Sequence, residues 1–280
     1  MKLINSSFEI IEQKPGLEGI YKQIELAGRV CYKSESSITE DSAKAFVDRM
    51  IKSGHGAMLE HGTVYLYKYV KTDVSKDITA RRYNKDPYSH LHIISDNSTG
   101  ESHVYITTNY RVLIERNWLD DLQYLCDSTE YHEKRVTVKF ITDQGILREF
   151  SRHRAFSFGV ESTRYCNYSK DKFNSEITFI EPNWEMSTLE RDIFEACLSD
   201  AESHYLALID SGWKPQQARN ILPLATKCEI VMTGFISDWK HFFNLRYFGT
   251  TGAPHPQARE LAEPLHKEFI TRGYINGSLQ

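Results

Sequence analysis

Apolar residues recur along this chain with two different periods, and the alternation between them is what most restricts its folding. In residues 16–30, Ile20, Ile24 and Val30, with Leu26 near them, share one helical face, and in 41–53 Ala45, Phe46, Val47, Met50 and Ile51 repeat the pattern. After Gly54 the run TVYLYKYV is rich in β-branched and aromatic residues and reads as a strand, as does VTVKFIT at 136–142. Helices and strands therefore alternate, with no internal repeat and no low-complexity linker. Between those two strands, 71–135 is turn-rich at YNKDPYSH and SDNSTGES and helical near 109–126, and it reads as an insertion.

From Asp143 a helix is expected through GILREFSRH, with Ile146, Leu147 and Phe150 toward the core and Arg148 and Arg152 sharing another face at i,i+4. This delivers Arg152 to a helix end. The last third reads as mainly helical. A helix spans 187–212, from Ser187-Thr188 to Gly212, and a shorter piece lies at PQQARNILP. A strand at KCEIVMTGFI then leads into SDWKHFFNLRYF, with Ser237 as N-cap.

At 280 residues and 40% hydrophobic content the chain can bury one large core or two small ones. Its net charge is −4, from 34 basic and 38 acidic residues, so no overall footprint for nucleic acid exists and the arginines must act locally. Five cysteines, an odd number without CxxC or Cys/His metal spacing, imply reduced thiols and a cytoplasmic protein. No window approaches 18 consecutive apolar residues, which excludes a membrane-spanning helix.

The chemistry is concentrated in EFSRHRAFSFGVESTRYCNY, residues 149–168. Arg152, His153, Arg154, Ser157, Glu161, Ser162, Arg164 and Tyr165 bring guanidinium forks and hydroxyls together, which is the chemistry of an anion site for a phosphorylated small molecule. The competing explanation is an Arg-His-Arg run that merely meets the last carbonyls and dipole of a helix. Arg219, before ILPL, and Arg246, after FFNL, could likewise be snorkelling helix residues. Other readings stand beside these. Cys166, four residues past Ser162 and close to Arg164, is either an activated thiol nucleophile or a small packed thiol. His55, Glu60 and His61 lack the i,i+4 histidine pair of a zinc-protease helix, so no metal is expected. An RNA-binding surface would need a basic stripe beyond the cluster, and none extends there.

RHR, seven residues, then Ser162 continuing as Ser-Thr-Arg-Tyr resembles the signature of the flavin-dependent thymidylate synthases. ARNILP, HFFNLR and GAPHPQARELA resemble that family's C-terminal blocks and follow in the same order, so the likeness covers about 20–70 and 136–272. The resemblance implies a single α/β catalytic domain over 1–280, with a curved, mixed or antiparallel sheet flanked by helices and 71–135 inserted between core strands. It also implies a homotetramer whose active sites draw on several subunits.

By the same resemblance, Glu149, Arg152, Glu161, Ser162, Arg164, Tyr165, Arg219 and Arg246 would line a dUMP pocket, with Ser162, Arg164 and Arg219 nearest the phosphate. FAD would be met by Thr63, Arg152, His153, Arg154 and Glu161, and by Phe235, Ser237 and His241 at the SDWKHFF helix. His61 would lie over the flavin or guard the folate side, and Arg246 would stabilise the ionised pyrimidine. The implied reaction is reductive methylation of dUMP to dTMP, with 5,10-methylenetetrahydrofolate as carbon donor and NADPH reducing FAD. Three places depart from the family pattern: Glu149 stands where many relatives have glutamine, His241 where many have asparagine, and Phe235 and Ser237 replace an asparagine and an arginine.

Overall fold

Six of the nine residues of Lys227–Phe235 are Cys, Ile, Val, Met, Gly or Phe, and their side chains fall on both sides of the strand, which is stable only with both faces covered. The computed structural model, which describes residues 1–96, 98–164, 166–169 and 176–276, buries it in this way. In chain order the helices are α1 (Gly16–Tyr32), α2 (Ser42–Lys52), α3 (Gly56–Leu59), α4 (Ile78–Lys85), α5 (Tyr110–Glu115), α6 (Gln144–Phe150), α7 (Thr188–Asp210), α8 (Pro215–Ala218), α9 (Ile236–Phe243) and α10 (Pro256–Thr271). The strands are β1 (Lys2–Ile4), β2 (Ser7–Ile11), β3 (Thr63–Val70), β4 (His90–Asp96), β5 (Glu101–Asn109), β6 (Arg135–Asp143), β7 (Ser157–Val160), β8 (Thr178–Ile180) and β9 (Lys227–Phe235).

The α/β class holds, with the described strands divided among an antiparallel sheet β2-β6-β9-β7, a second antiparallel sheet β3-β5-β4 and a parallel pair β1-β8. Against the first sheet α6, α9 and α10 pack an aromatic core of Phe140, Phe150, Phe156, Trp239, Phe242, Phe243 and Phe269. The indole of Trp239 donates to the Val136 carbonyl at 3.1 Å, so its buried N–H is satisfied. A second core joins α1 and α2 to the β3-β5-β4 sheet through Ile20, Ile24, Val47, Leu66, Val104 and Ile106.

The segment 71–135 is more regular than its sequence suggests. It contains both β4 and β5, and β5 lies in register along all of β3 from Thr63↔Asn109 to Val70↔Ser102. It also contains α4, and the helical run expected near 109–126 is short, α5 followed by a 3₁₀ turn at Leu119–Tyr124. At the start of α9 the structure also corrects an expectation: the N-cap is Phe235, and Asp238, three residues on, accepts from the Phe235 backbone N–H at 2.9 Å. Ser237 lies inside the first turn and donates instead to Glu133 at 2.6 Å. No described helix is long and apolar enough to cross a membrane.

Candidate active site

Two helix ends build the principal cavity. Asp143 caps α6 by accepting from Ile146 N at 2.7 Å, and the seven-residue helix ends at Phe150, so Glu149 lies in its last turn and Arg152, His153 and Arg154 just beyond it. On the other side α9 runs into a π-helical turn, Asn244–Phe248, closed by Gly249 in the left-handed region (φ 68°). A Cβ at Gly249 would fall 2.8 Å from the Gly252 carbonyl oxygen, so only glycine lets the 251–255 loop close over this turn. Between these parts lies a cavity of about 670 Å³, lined by Glu149, Arg152, His153, Arg154, Asp238, His241 and Arg246, with residues 251–255 along one side.

Arg246 is held in one plane by three contacts. Its Nη1 donates to Glu149 Oε2 at 2.5 Å, its Nη2 to the Glu149 carbonyl at 2.8 Å, and its Nε to His153 Nε2 at 3.0 Å. Burial, then the neighbouring charge of Arg246, pushes His153 down to about 4, so this histidine is an uncharged acceptor at neutral pH. Arg152 and Arg154 differ from Arg246. Both are exposed, and neither side chain has an ion pair or hydrogen bond among the described residues. Two unpaired guanidinium groups facing one cavity make a donor set for phosphate oxygens.

The remaining expected site residues among the described ones lie away from this cavity. His61 is fully buried, its Nδ1 2.8 Å from Thr233 Oγ1, and burial with the nearby Arg135 charge lowers it to about 3; it ties the α3–β3 turn to β9. Thr63 exchanges two backbone hydrogen bonds with the Gln13 amide, and its hydroxyl accepts from Arg135 Nη1 at 3.3 Å. Glu161 is also buried, accepting from Lys227 Nζ at 2.9 Å and Glu229 N at 3.1 Å. Phe235 stacks on His90 with centroids 3.9 Å apart. The expected FAD contacts Thr63, Glu161, Phe235 and Ser237 are thus engaged inside the chain, whereas Arg152, His153, Arg154 and His241 are at the cavity.

A second group collects on the surface. The Ser162 N–H donates to the Cys31 carbonyl at 3.0 Å, Arg164 Nε to Gln216 Oε1 at 3.2 Å, and Arg219 Nη1 to Thr163 Oγ1 at 3.4 Å. The expected phosphate residues Ser162, Arg164 and Arg219 therefore share one patch, while Tyr165 lies outside the described residues. Cys166 is fully buried. His55, Glu60 and His61 diverge: His55 stacks on Tyr32, Glu60 pairs with Arg111, and His61 points inward. Asp238 and 251–255 line the cavity without having been singled out residue by residue; Asp238 lies in the SDWKHFF stretch and Gly252–His255 open the GAPHPQARELA block.

A family described as thymidylate synthase complementing protein matches residues 127–272, more than half of the chain. A Paramecium bursaria Chlorella virus 1 protein named "Probable flavin-dependent thymidylate synthase" is 30% identical over 148 residues, 48% of this chain and 67% of that protein. The chain belongs to the flavin-dependent thymidylate synthase family. Other members align over shorter stretches: that of Geobacter sulfurreducens is 31% identical over 37% of this chain and 45% of its own length, that of Pyrococcus furiosus 36% identical over 34% and 38%. The chain thus spans less than half the length of these two thymidylate synthases. A flavin is the cofactor that the family's name carries, and the Arg152–Arg154 donor set fits the anionic part of such a group.

Proposed function

We propose that this protein converts dUMP to dTMP in the cytoplasm as a homotetramer, taking its carbon from 5,10-methylenetetrahydrofolate and its electrons from NADPH by way of FAD. The observation that carries the reading is the juxtaposition, in one cavity, of two unpaired arginines with a third locked in plane. Uracil C5 is a poor nucleophile, so the site must raise electron density along the ring. The reduced flavin, when bound, supplies a hydride. The chain supplies binding, orientation and charge. Arg246 has two N–H groups left after its three internal contacts, and these stabilise negative charge as N3 of the pyrimidine ionises. Its own pKa is too high for it to act as the base. His153, uncharged, fixes the guanidinium plane, and Arg152 and Arg154 take phosphate oxygens of the cofactor or nucleotide.

The test is direct. Purified protein should carry a flavin, absorbing at about 450 nm. With dUMP, methylenetetrahydrofolate and NADPH it should form dTMP, measured by chromatography. Flavin-bound protein that oxidises NADPH yet yields no dTMP would remove the assignment.

A further inference from the structure

The cation meant to face a ring anion is neutralised in advance: Glu149 holds Arg246 with both a carboxylate oxygen and its own carbonyl. A carboxylate is a poor choice if holding is the whole task. A neutral amide oxygen would accept the same hydrogen bond without spending the positive potential that an ionised pyrimidine needs, and two anions on one guanidinium repel each other. The conflict vanishes if the carboxylate loses its charge at the moment the ring acquires one.

We propose that Glu149 is the proton acceptor for N3–H of the bound uracil, and that Arg246 passes from the Glu149 carboxylate to the ring as its anionic partner. The proposal rests on reading this cavity as the dUMP site. The N3–H bond breaks and an O–H bond forms on Glu149, while the electron pair stays on N3 and spreads over the ring oxygens and C5. Before the transfer Arg246 is paired with a carboxylate, and after it with the ring; the total charge is unchanged, so no uncompensated charge is created in a partly closed cavity.

Three features of the site support the assignment. Glu149 Oε2 is used by Arg246, but Oε1 has no hydrogen bond among the described residues, and the side chain, 32% exposed, lines the cavity. The acceptor nitrogen of His153 is already occupied by Arg246 Nε, which leaves that histidine no lone pair for the substrate proton. Among the described residues Asp238 has one oxygen on the Phe235 N–H and no hydrogen bond to Arg246, so Glu149 is the carboxylate whose proton uptake would release that guanidinium to the ring. The other charged or titratable groups sharing the cavities around Glu149 are Arg152, Arg154, His241, His255 and, on the α6 side, Asp143, which is taken up as the helix cap.

Glu149→Gln keeps the size and the acceptor oxygen but removes the base, and Glu149→Asp keeps the base at shorter reach. Wild-type protein is assayed first: no dTMP there refutes the functional reading itself. With wild type active, Glu149→Gln should lower kcat for dTMP by roughly 10²–10³-fold, the scale of general-base loss. Oxidation of NADPH by the flavin should stay near wild type, and dUMP affinity, read from the flavin spectrum, within about threefold. The acidic limb of the kcat–pH profile should disappear in Glu149→Gln and persist, at reduced rate, in Glu149→Asp. Three results would overturn the proposal: dTMP formation by Glu149→Gln near the wild-type rate, an acidic limb surviving in that variant, or loss of flavin from both variants, which would make Glu149 a structural residue.

Discussion

The role proposed for Arg246 depends on contacts that its sequence neighbours do not reveal. A lysine there would keep the charge but lose both the Nε contact to His153 and the fork that grips Glu149, so the positive charge would no longer be fixed in the ring plane. Arg246→Lys should leave flavin bound and NADPH oxidation intact while dTMP formation falls roughly 10²–10³-fold, the scale for losing a preorganised electrostatic donor. Comparing the two half-reactions in one preparation checks this. Of the motif's residues, Arg152, His153 and Arg154 line the cavity. The motif could not show burial, and burial is what removes His61 from the cavity. His61 titrates at about 3 and His153 at about 4 in the fold, against about 6.5 in the unfolded chain. Both depressed values mean that the unfolded state binds more protons below about pH 6.5, so stability falls as pH falls through that window, by at most about 1.4 kcal/mol per pH unit for each histidine. Urea unfolding at pH 7.5, 6 and 5 should show this slope. The slope of His61→Gln should be shallower; an unchanged slope would mean that His61 does not fold uncharged.

At the scale of elements, the strong periodic signals were legible. TVYLYKYV is β3, KCEIVMTGFI contains β9, and Ser187 caps α7 in a reciprocal capping box with Glu190. The short strands β1, β2, β7 and β8 gave no such signal, because each is stabilised by its sheet partner rather than by local preference. The same holds for β4 and β5, whose polar outer positions resemble a loop while the inner ones, Val104 and Ile106, complete the second core. The α6 helix is where element and site meet. Seven residues are too few for a helix to persist by propensity alone, so its cap and its packing through Ile146 and Phe150 must hold it. Asp143→Ala should cost about 1 kcal/mol, measured by urea denaturation, and should weaken dUMP binding, since Glu149 and Arg152 follow from the same helix. A variant with unchanged stability would show that the cap contributes nothing.

For the whole molecule, the arrangement of the site has a consequence for assembly. The cavity gathers Arg152, Arg154 and Arg246, whereas Ser162, Arg164 and Arg219 share a surface patch and none of the three lines that cavity. If both groups serve one nucleotide, the patch of one subunit must close on the cavity of another, as the proposed homotetramer would allow. A point-group assembly repeats each such contact, so a subunit with a damaged patch can still offer an intact cavity to its neighbour. Arg219→Ala and Arg246→Ala should each be inactive alone. Co-expressed with different affinity tags and purified through both, the mixed oligomer should form dTMP, because some sites then join a wild-type patch to a wild-type cavity. A doubly tagged oligomer as inactive as its parents would place both groups within one subunit's site, and failure to recover any doubly tagged species would refute the oligomer itself.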